Sequence, residues 1–420
     1  MVEQTQAPAE KEVQQEKEAP KERDTNNMFE RGTMSQEEPE EEEVFETNWK
    51  ESVEKFDDMG LREEVLRGIY GYGYKDPSPI QQKAILPVVQ GKDTIAQAQS
   101  GTGKTGAFTI GILQSIDPSS QHTQALIVSP TRELSMQIAY VVHSIGEFMG
   151  VKVHACVGGT KVGDDIRALK TGAQIVVGTP GRVHDMMRRG FLKSDYLKLF
   201  TLDEADEMLQ AGFQQSIKDI FKYLPGDIQI SLFSATLPPD ILKLTKHFMR
   251  DPAKILVKAE DLTLEGIKQY YIAVEQEKWK IEVLINLYAN LDIVQALIYC
   301  NTKKRVEELE QAMTEKDFTV GCMHSDMEQS QRDLVMKQFR QGSTRVLITT
   351  DLLARGIDVQ QVGLVINYEL PMRKENYMHR IGRAGRFGRK GTAINFVLPQ
   401  DARFIKELQE HYGTQIEELP

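Results

Sequence analysis

Cysteine is scarce in this chain, with three residues in 420. Cys156, Cys300 and Cys322 are odd in number and lack metal-ligand spacing, which excludes a disulfide framework and a cysteine-built zinc site and leaves buried thiols in a reducing compartment as the expectation. Long apolar runs are missing too. The longest, such as 125–128 or 175–177, fall far short of the roughly 20 residues that cross a bilayer, so no membrane partner is expected. The start, Met1-Val2-Glu3-Gln4, has no apolar core of a secretory signal, which argues against export. Positive charge is in deficit as well: the formal net charge is −11, at first sight a poor match for a nucleic-acid partner.

The distribution of charge changes that reading. Residues 1–50 carry fifteen Asp/Glu and six Lys/Arg, and the rest of the chain carries 47 and 45. The body is therefore nearly neutral. Residues 1–44, with Gln/Glu/Pro repeats and the run Glu40-Glu41-Glu42-Glu43, have too few apolar side chains to fold alone and read as a disordered acidic tail.

From residue 45 the texture becomes short apolar runs ending in Gly, Ser, Thr, Pro or Asp, each followed by an amphipathic stretch, the pattern of parallel β/α units. Strands are predicted at 94–97, 125–129, 152–157, 174–177, 199–202 and 228–233. After a charged stretch with no strand pattern the alternation restarts, with strands at 269–274, 296–300, 319–323, 345–348, 364–367 and 393–397. The expected fold is α/β: two parallel-sheet lobes, 45–258 and 267–420, joined by a linker at 259–266, with a cleft at the carboxyl ends of the strands.

The first strand runs into Ala98-Gln99-Ser100-Gly101-Thr102-Gly103-Lys104-Thr105. This fits the phosphate-loop pattern G-x-x-x-x-G-K-[ST] except for Ala98, which is small enough to keep the turn. Gly101 and Gly103 let backbone N–H groups face a phosphate, Lys104 can reach the outer phosphates, and Thr105 can hold Mg²⁺. A chance Gly-rich turn is the alternative, and the Lys-Thr pair at the required offset weighs against it. A triphosphatase also needs carboxylates at a neighbouring strand end. The run 199–202 supplies them in Asp203-Glu204-Ala205-Asp206, with Asp203 placed for Mg²⁺ and Glu204 for the attacking water.

Those four residues spell the box for which DEAD-box RNA helicases are named, and the chain resembles that family from residue 56 to 391. The resemblance implies two RecA-like lobes, use of ATP and Mg²⁺, and RNA as partner. Ahead of the phosphate loop, 73–81 resembles the family's adenine-reading Q motif, with Phe56 as its upstream aromatic, Tyr74 stacking on the base and Gln81 reading its edge. Ser234-Ala235-Thr236 is similar to the element that couples hydrolysis to strand separation, its hydroxyls bonding the DEAD carboxylates, including Asp206. In the second lobe, 349–358 resembles the fifth helicase motif, where Asp358 would bind the ribose. The stretch 379–386 resembles the sixth, which makes Arg383 and Arg386 arginine fingers. RNA contacts are implied at Pro130, Thr131, Arg132, Gly158, Gly159, Thr179, Gly181 and Arg182 in the first lobe, and at Thr302, Gln329, Arg332 and Thr350 in the second. These side chains and backbone groups suit phosphate and 2′-hydroxyl and read no base edge, so sequence-independent binding is expected.

Within the family the chain is most similar to the translation-initiation branch, which implies a monomeric, cytoplasmic helicase that unwinds short duplexes in messenger RNA leaders beside a helical-repeat scaffold protein. Some details, including 59–63 and 414–416, are closer to the paralogous ATP-locked RNA clamp of the exon junction complex, a nuclear role. A DNA translocase of the same superfamily is the third reading, and the Q motif counts against it.

Overall fold

A computed structural model describes residues 47–209, 211–256, 267–290, 295–351, 362–384 and 391–420. The acidic tail at 1–44, the linker at 259–266, Asp358 and Arg386 lie outside them. The apolar runs form strands buried on both faces, because helices cover each side of a parallel sheet and leave no wet face to alternate toward. Thus Ala125–Val128, Ile175–Gly178 and Leu199–Asp203 are buried along their whole length.

Among the described residues, fourteen strands, β1 to β14 in chain order, make two seven-stranded sheets. The first has the order β3-β4-β2-β5-β6-β1-β7 and the second β10-β11-β9-β12-β13-β8-β14. Adding seven to each number of the first order gives the second, so one sheet topology occurs twice in the chain. The first sheet contains β1 (Thr94–Gln97), β2 (Ala125–Val128), β3 (Val153–Cys156), β4 (Ile175–Gly178), β5 (Leu199–Asp203), β6 (Gln229–Ser234) and β7 (Ala253–Leu256). The second contains β8 (Ile267–Ala273), β9 (Ala296–Tyr299), β10 (Val320–Met323), β11 (Val346–Thr349), β12 (Leu364–Asn367), β13 (Gly391–Val397) and β14 (Glu417–Glu418). Every pairing is parallel, as in β1 with β6 (Gln97 opposite Ser234) and β9 with β12 (Tyr299 opposite Asn367).

All twelve predicted strands are present with ends shifted by at most two residues, and the two lobes of the expected fold class are there. The two additional strands each form one edge of a sheet, opposite the predicted edge strands β3 and β10. β7 is only partly buried and β14 is exposed Glu-Glu, so neither carries the apolar run that marks a central strand. The thiols follow expectation with one adjustment: Cys156 and Cys300 are buried, whereas Cys322 is partly exposed. Burial pushes the Cys156 thiol up to about 12 and Cys322 to about 11, so both stay protonated and unreactive near neutral pH. Among the described residues no helix is long and apolar enough to cross a membrane.

Two helices of the first lobe approach closely at a glycine. Helix Glu63–Tyr72 crosses helix Arg132–Ile145 at Gly68, where a Cβ would stand 1.8 Å from the Ile145 carbonyl oxygen. Because the obstacle is backbone, Gly68→Ala has to separate the helices. The expected loss is roughly 1–3 kcal/mol, read as a lower urea midpoint; an unchanged midpoint would remove this account of the packing.

Candidate active site

The phosphate loop leaves β1 and closes on itself through Thr102, whose hydroxyl donates to the Gln99 carbonyl at 2.6 Å. Gly103 enters helix Lys104–Ser115 at φ 104°, a conformation open to glycine at little cost. A Cβ there would also lie 2.8 Å from both the Gln81 amide nitrogen and the Ser78 hydroxyl. Lys104 is buried and donates to the Ala98 carbonyl at 2.7 Å. Burial pulls its pKa down, and the neighbouring Glu204, Asp203 and Asp206 oppose that pull.

The carboxylates stand at the end of β5. Glu204 has φ 51° and ψ 52°, left-handed for a side chain that avoids it, at a cost of order 1–3 kcal/mol. The turn brings the Glu204 N–H to the Asp203 carboxylate at 3.0 Å. Burial first, and Glu204 beside it second, push the Asp203 carboxyl up to about 7. A buried pair of carboxylates beside a phosphate loop is the oxygen-donor arrangement that a divalent cation fits, since Mg²⁺ typically takes one or two carboxylates plus phosphate oxygens and water.

Asp206 is fully buried and joins three elements. Its Oδ2 accepts from the Thr236 hydroxyl at 2.6 Å, and its N–H donates to the Ser234 hydroxyl at 3.4 Å. The same Oδ2 lies 3.0 Å from Nε2 of His379, which belongs to the other lobe. His379 Nδ1 is also 3.7 Å from a Glu204 oxygen. Arg383, one turn on, is buried with its Nε donating to the His379 carbonyl at 3.1 Å. A Cβ added to Gly382 would come 3.8 Å from Ser100 of the phosphate loop. The two lobes therefore meet over the carboxylates. The cleft between them has a volume of about 1410 Å³ and is lined by Tyr74, Ser100, Gly101, Gly103, Lys104, Thr105, Asp203, Glu204 and Arg383, among others.

Among the expected nucleotide contacts, Phe56, Ala98, Gln81, Gln99 and Thr102 are not part of that lining, and the first three are buried behind it. Phe56 has no exposed surface and stacks on Tyr74 with ring centroids 6.5 Å apart, so it supports Tyr74 from the core. Ala98 is buried at the strand end. Gln81 is 2% exposed and spends one donor on the Gly103 carbonyl at 3.2 Å and one lone pair on the Ser78 N–H at 2.9 Å. One N–H and one lone pair of the amide are left over. Its hydrogen bonds tie the Q motif to the phosphate loop, a role the sequence pattern did not indicate.

On the opposite rim, closure gathers some of the expected RNA contacts. Arg132 donates to the Gly158 carbonyl at 3.1 Å and lies 3.6 Å from Asp333 of the second lobe. A Cβ on Gly159 would meet Arg132 at 3.1 Å and Gln329 at 3.8 Å. Arg332 pairs with Glu133 at 2.6 Å, both side chains about one-tenth exposed. Thr131 and Thr302 occupy equivalent places after β2 and β9, each hydroxyl capping a helix by accepting from Leu134 N and Arg305 N at 3.2 Å. Gly181 and Thr179 lie at the start of helix Pro180–Arg188 and Thr350 follows β11. Pro130 is buried. The Arg182 guanidinium turns inward to the buried Asp165 and grips Thr160 through its hydroxyl at 3.1 Å and its carbonyl at 3.0 Å, so it holds the Gly158–Gly159 loop from beneath. His379, Glu133 and Asp165 were not among the expected site residues, since each is defined by a partner distant in sequence.

Two parallel α/β lobes closed on a phosphate loop, a carboxylate pair and a buried arginine define a two-lobed nucleoside-triphosphate-binding protein. A family model for DEAD/DEAH box helicases matches residues 78–244, and one for the helicase conserved C-terminal domain matches 279–388. The chain belongs to the DEAD/DEAH box helicase family. It is 61% identical over 376 residues to the ATP-dependent RNA helicase eIF4A of Neurospora crassa, spanning 90% of this chain and 95% of that one. It is 60% identical to eukaryotic initiation factor 4A of Drosophila melanogaster, spanning 90% and 94%. Among solved structures, S. cerevisiae Dbp5 bound to RNA and ADP BeF3 is similar with a TM-score of 0.82 at 36% identity, covering 88% of this chain and 96% of that one. A Dbp5 variant bound to Nup159, Gle1, IP6 and ADP scores 0.59 at 34% identity, covering 86% and 95%.

The raised Asp203 carboxyl sets a pH dependence. The folded chain holds this proton up to about pH 7, whereas the unfolded chain releases it near 3.8. The folded state therefore binds more protons in that window, and stability falls as pH rises through it, by up to roughly 1.4 kcal/mol per pH unit. In chelator-treated, nucleotide-free protein, Asp203→Asn should flatten the decline in melting temperature between about pH 5 and 7; an identical slope in the variant would count against the buried-carboxyl assignment.

Proposed function

We propose that the chain is an ATP-dependent RNA helicase that separates short RNA duplexes non-processively by closing and reopening its lobes, acting on messenger RNA leaders in translation initiation. The observation that carries this reading is the convergence of the phosphate loop, Asp203, Glu204, Asp206, His379 and Arg383 on one interlobe cleft. The initiation role, the cytoplasmic location and a helical-repeat scaffold partner rest on the likeness to initiation-factor helicases. The same likeness gives no support to the exon-junction clamp. Both walls of the cleft come from one chain, which is compatible with action as a monomer.

Each residue has a task. Lys104 neutralises the outer phosphates, the loop N–H groups cradle them, and Tyr74 covers the base. Thr105 and Asp203 would hold Mg²⁺, which would supply positive charge against the phosphate oxygens. Glu204 accepts a proton from the attacking water and orients it. Arg383, with Arg386 by family likeness, stabilises transition-state charge, and Asp358 would take the ribose. On the far rim Arg132, Gly158, Gly159, Gln329, Thr302 and Thr350 bear on RNA backbone, while Thr131 and Arg182 brace the loops that do so.

Lys104→Ala should lose nucleotide binding, whereas Glu204→Gln should bind ATP normally and hydrolyse it about 100- to 10,000-fold more slowly. Wild-type hydrolysis should rise with single-stranded RNA and not with DNA, and ATP should serve far better than GTP. Turnover at the wild-type rate in Glu204→Gln, or equal stimulation by DNA, would overturn the reading.

A further inference from the structure

The sixth helicase motif contains an arginine with no place in the chemistry above. Arg380 follows His379 on helix Lys374–Ile381 and is 0% exposed, so it touches neither nucleotide nor RNA. Its guanidinium spreads over four partners. Nε donates to Asp351 at 2.5 Å, Nη2 to the Asn301 side-chain oxygen at 2.7 Å, and Nη1 to the Glu369 carbonyl at 2.7 Å and the Asn367 oxygen at 3.3 Å. It also lies over the Tyr299 ring, 5.2 Å from the centroid.

Two of those partners adjoin the RNA rim. Asn301 precedes Thr302 and is itself fixed, with its amide donating to the Leu370 carbonyl at 2.8 Å and its backbone N–H to Glu369 at 2.7 Å. Asp351 follows Thr350 and accepts from Asn376 at 3.1 Å. One planar fork therefore joins both RNA-rim segments of the second lobe to the helix that carries His379 and Arg383. Lysine could not reproduce this, having one compact charge in place of a fixed fan of donors.

Resting on the helicase reading, we propose that Arg380 is a positioning residue that transmits RNA occupancy at 301–302 and 350–351 to the ATP site. RNA that fixes these two segments fixes the acceptors of the fork. The fork can reach all of them with its helix in one position, and in that position His379 meets Asp206 and Arg383 enters the cleft.

The test is the factor by which RNA strengthens ATP binding, measured on the full chain with a fluorescent non-hydrolysable ATP analogue, with and without saturating oligouridine. Such couplings usually amount to about 5- to 150-fold. Arg380→Lys and Asn301→Ala should each bring the factor to within about twofold of unity while changing RNA-free nucleotide affinity by less than about twofold. The double variant should lose no more than either single one, as expected of two ends of one contact. A wild-type factor in Asn301→Ala, or additive losses in the double variant, overturns the proposal. If Arg380→Lys does not fold, Asn301→Ala alone decides, because Asn301 is an exposed residue. Absence of coupling in the wild-type chain would instead remove the helicase reading itself, and this proposal with it.

Discussion

One buried carboxylate oxygen holds the working arrangement together. Oδ2 of Asp206 has no solvent contact and takes the Thr236 hydroxyl from its own lobe and His379 from the other. A charge removed from water is tolerable only when its hydrogen bonds are made. The first lobe alone provides Thr236; the second partner arrives with closure. The contact that joins the lobes and the contact that organises the DEAD carboxylates are thus the same. On the other rim the Arg332–Glu133 pair does a similar job at 2.6 Å. Both contacts are polar and small, which suits an interface that opens as well as closes.

The duplicated sheet explains why there is one nucleotide site and not two. Both lobes present strand ends to the cleft, where α/β folds bind ligands. Only β1 is followed by Gly101, Gly103 and Lys104, whereas β8 runs into Val274-Glu275-Gln276, which offers neither glycine turn nor lysine. The second lobe brings His379 and Arg383 to the site its twin contains. Fold supplies the geometry, and the loops decide which copy binds and which one completes the site.

Strands such as β2, β4 and β5 were legible in the sequence because burial on both faces leaves an uninterrupted apolar run; β7 and β14 were not, because Ala-Lys-Ile-Leu is interrupted by a charge and Glu-Glu is polar. The phosphate loop and Asp203-Glu204 were legible because their chemistry lies within a few consecutive residues. Gln81, Arg182 and Phe56 lie in the neighbourhoods assigned to them, and each makes a scaffold contact that the sequence did not indicate. Their partners, Gly103, Asp165 and Tyr74, stand 22, 17 and 18 positions away, and no local pattern says whether a side chain turns toward a ligand or toward the scaffold beneath it. The interlobe pairs were beyond reach for the same reason at greater range, with 173 positions separating Asp206 and His379.

The electrostatics of the cleft give closure its direction. Burial pulls Lys104 toward its neutral form and Asp203 toward its protonated form, so each group is held against its own charge. Phosphate oxygens beside Lys104 favour the ammonium, and a divalent cation beside Asp203 favours the carboxylate. Nucleotide and metal binding as proposed would recover energy that burial has withheld, and more of it as closure excludes water and lowers the local dielectric. Any ligand on the far rim that favours closure strengthens that gain, and by linkage the nucleotide strengthens the hold on the far-rim ligand to the same degree.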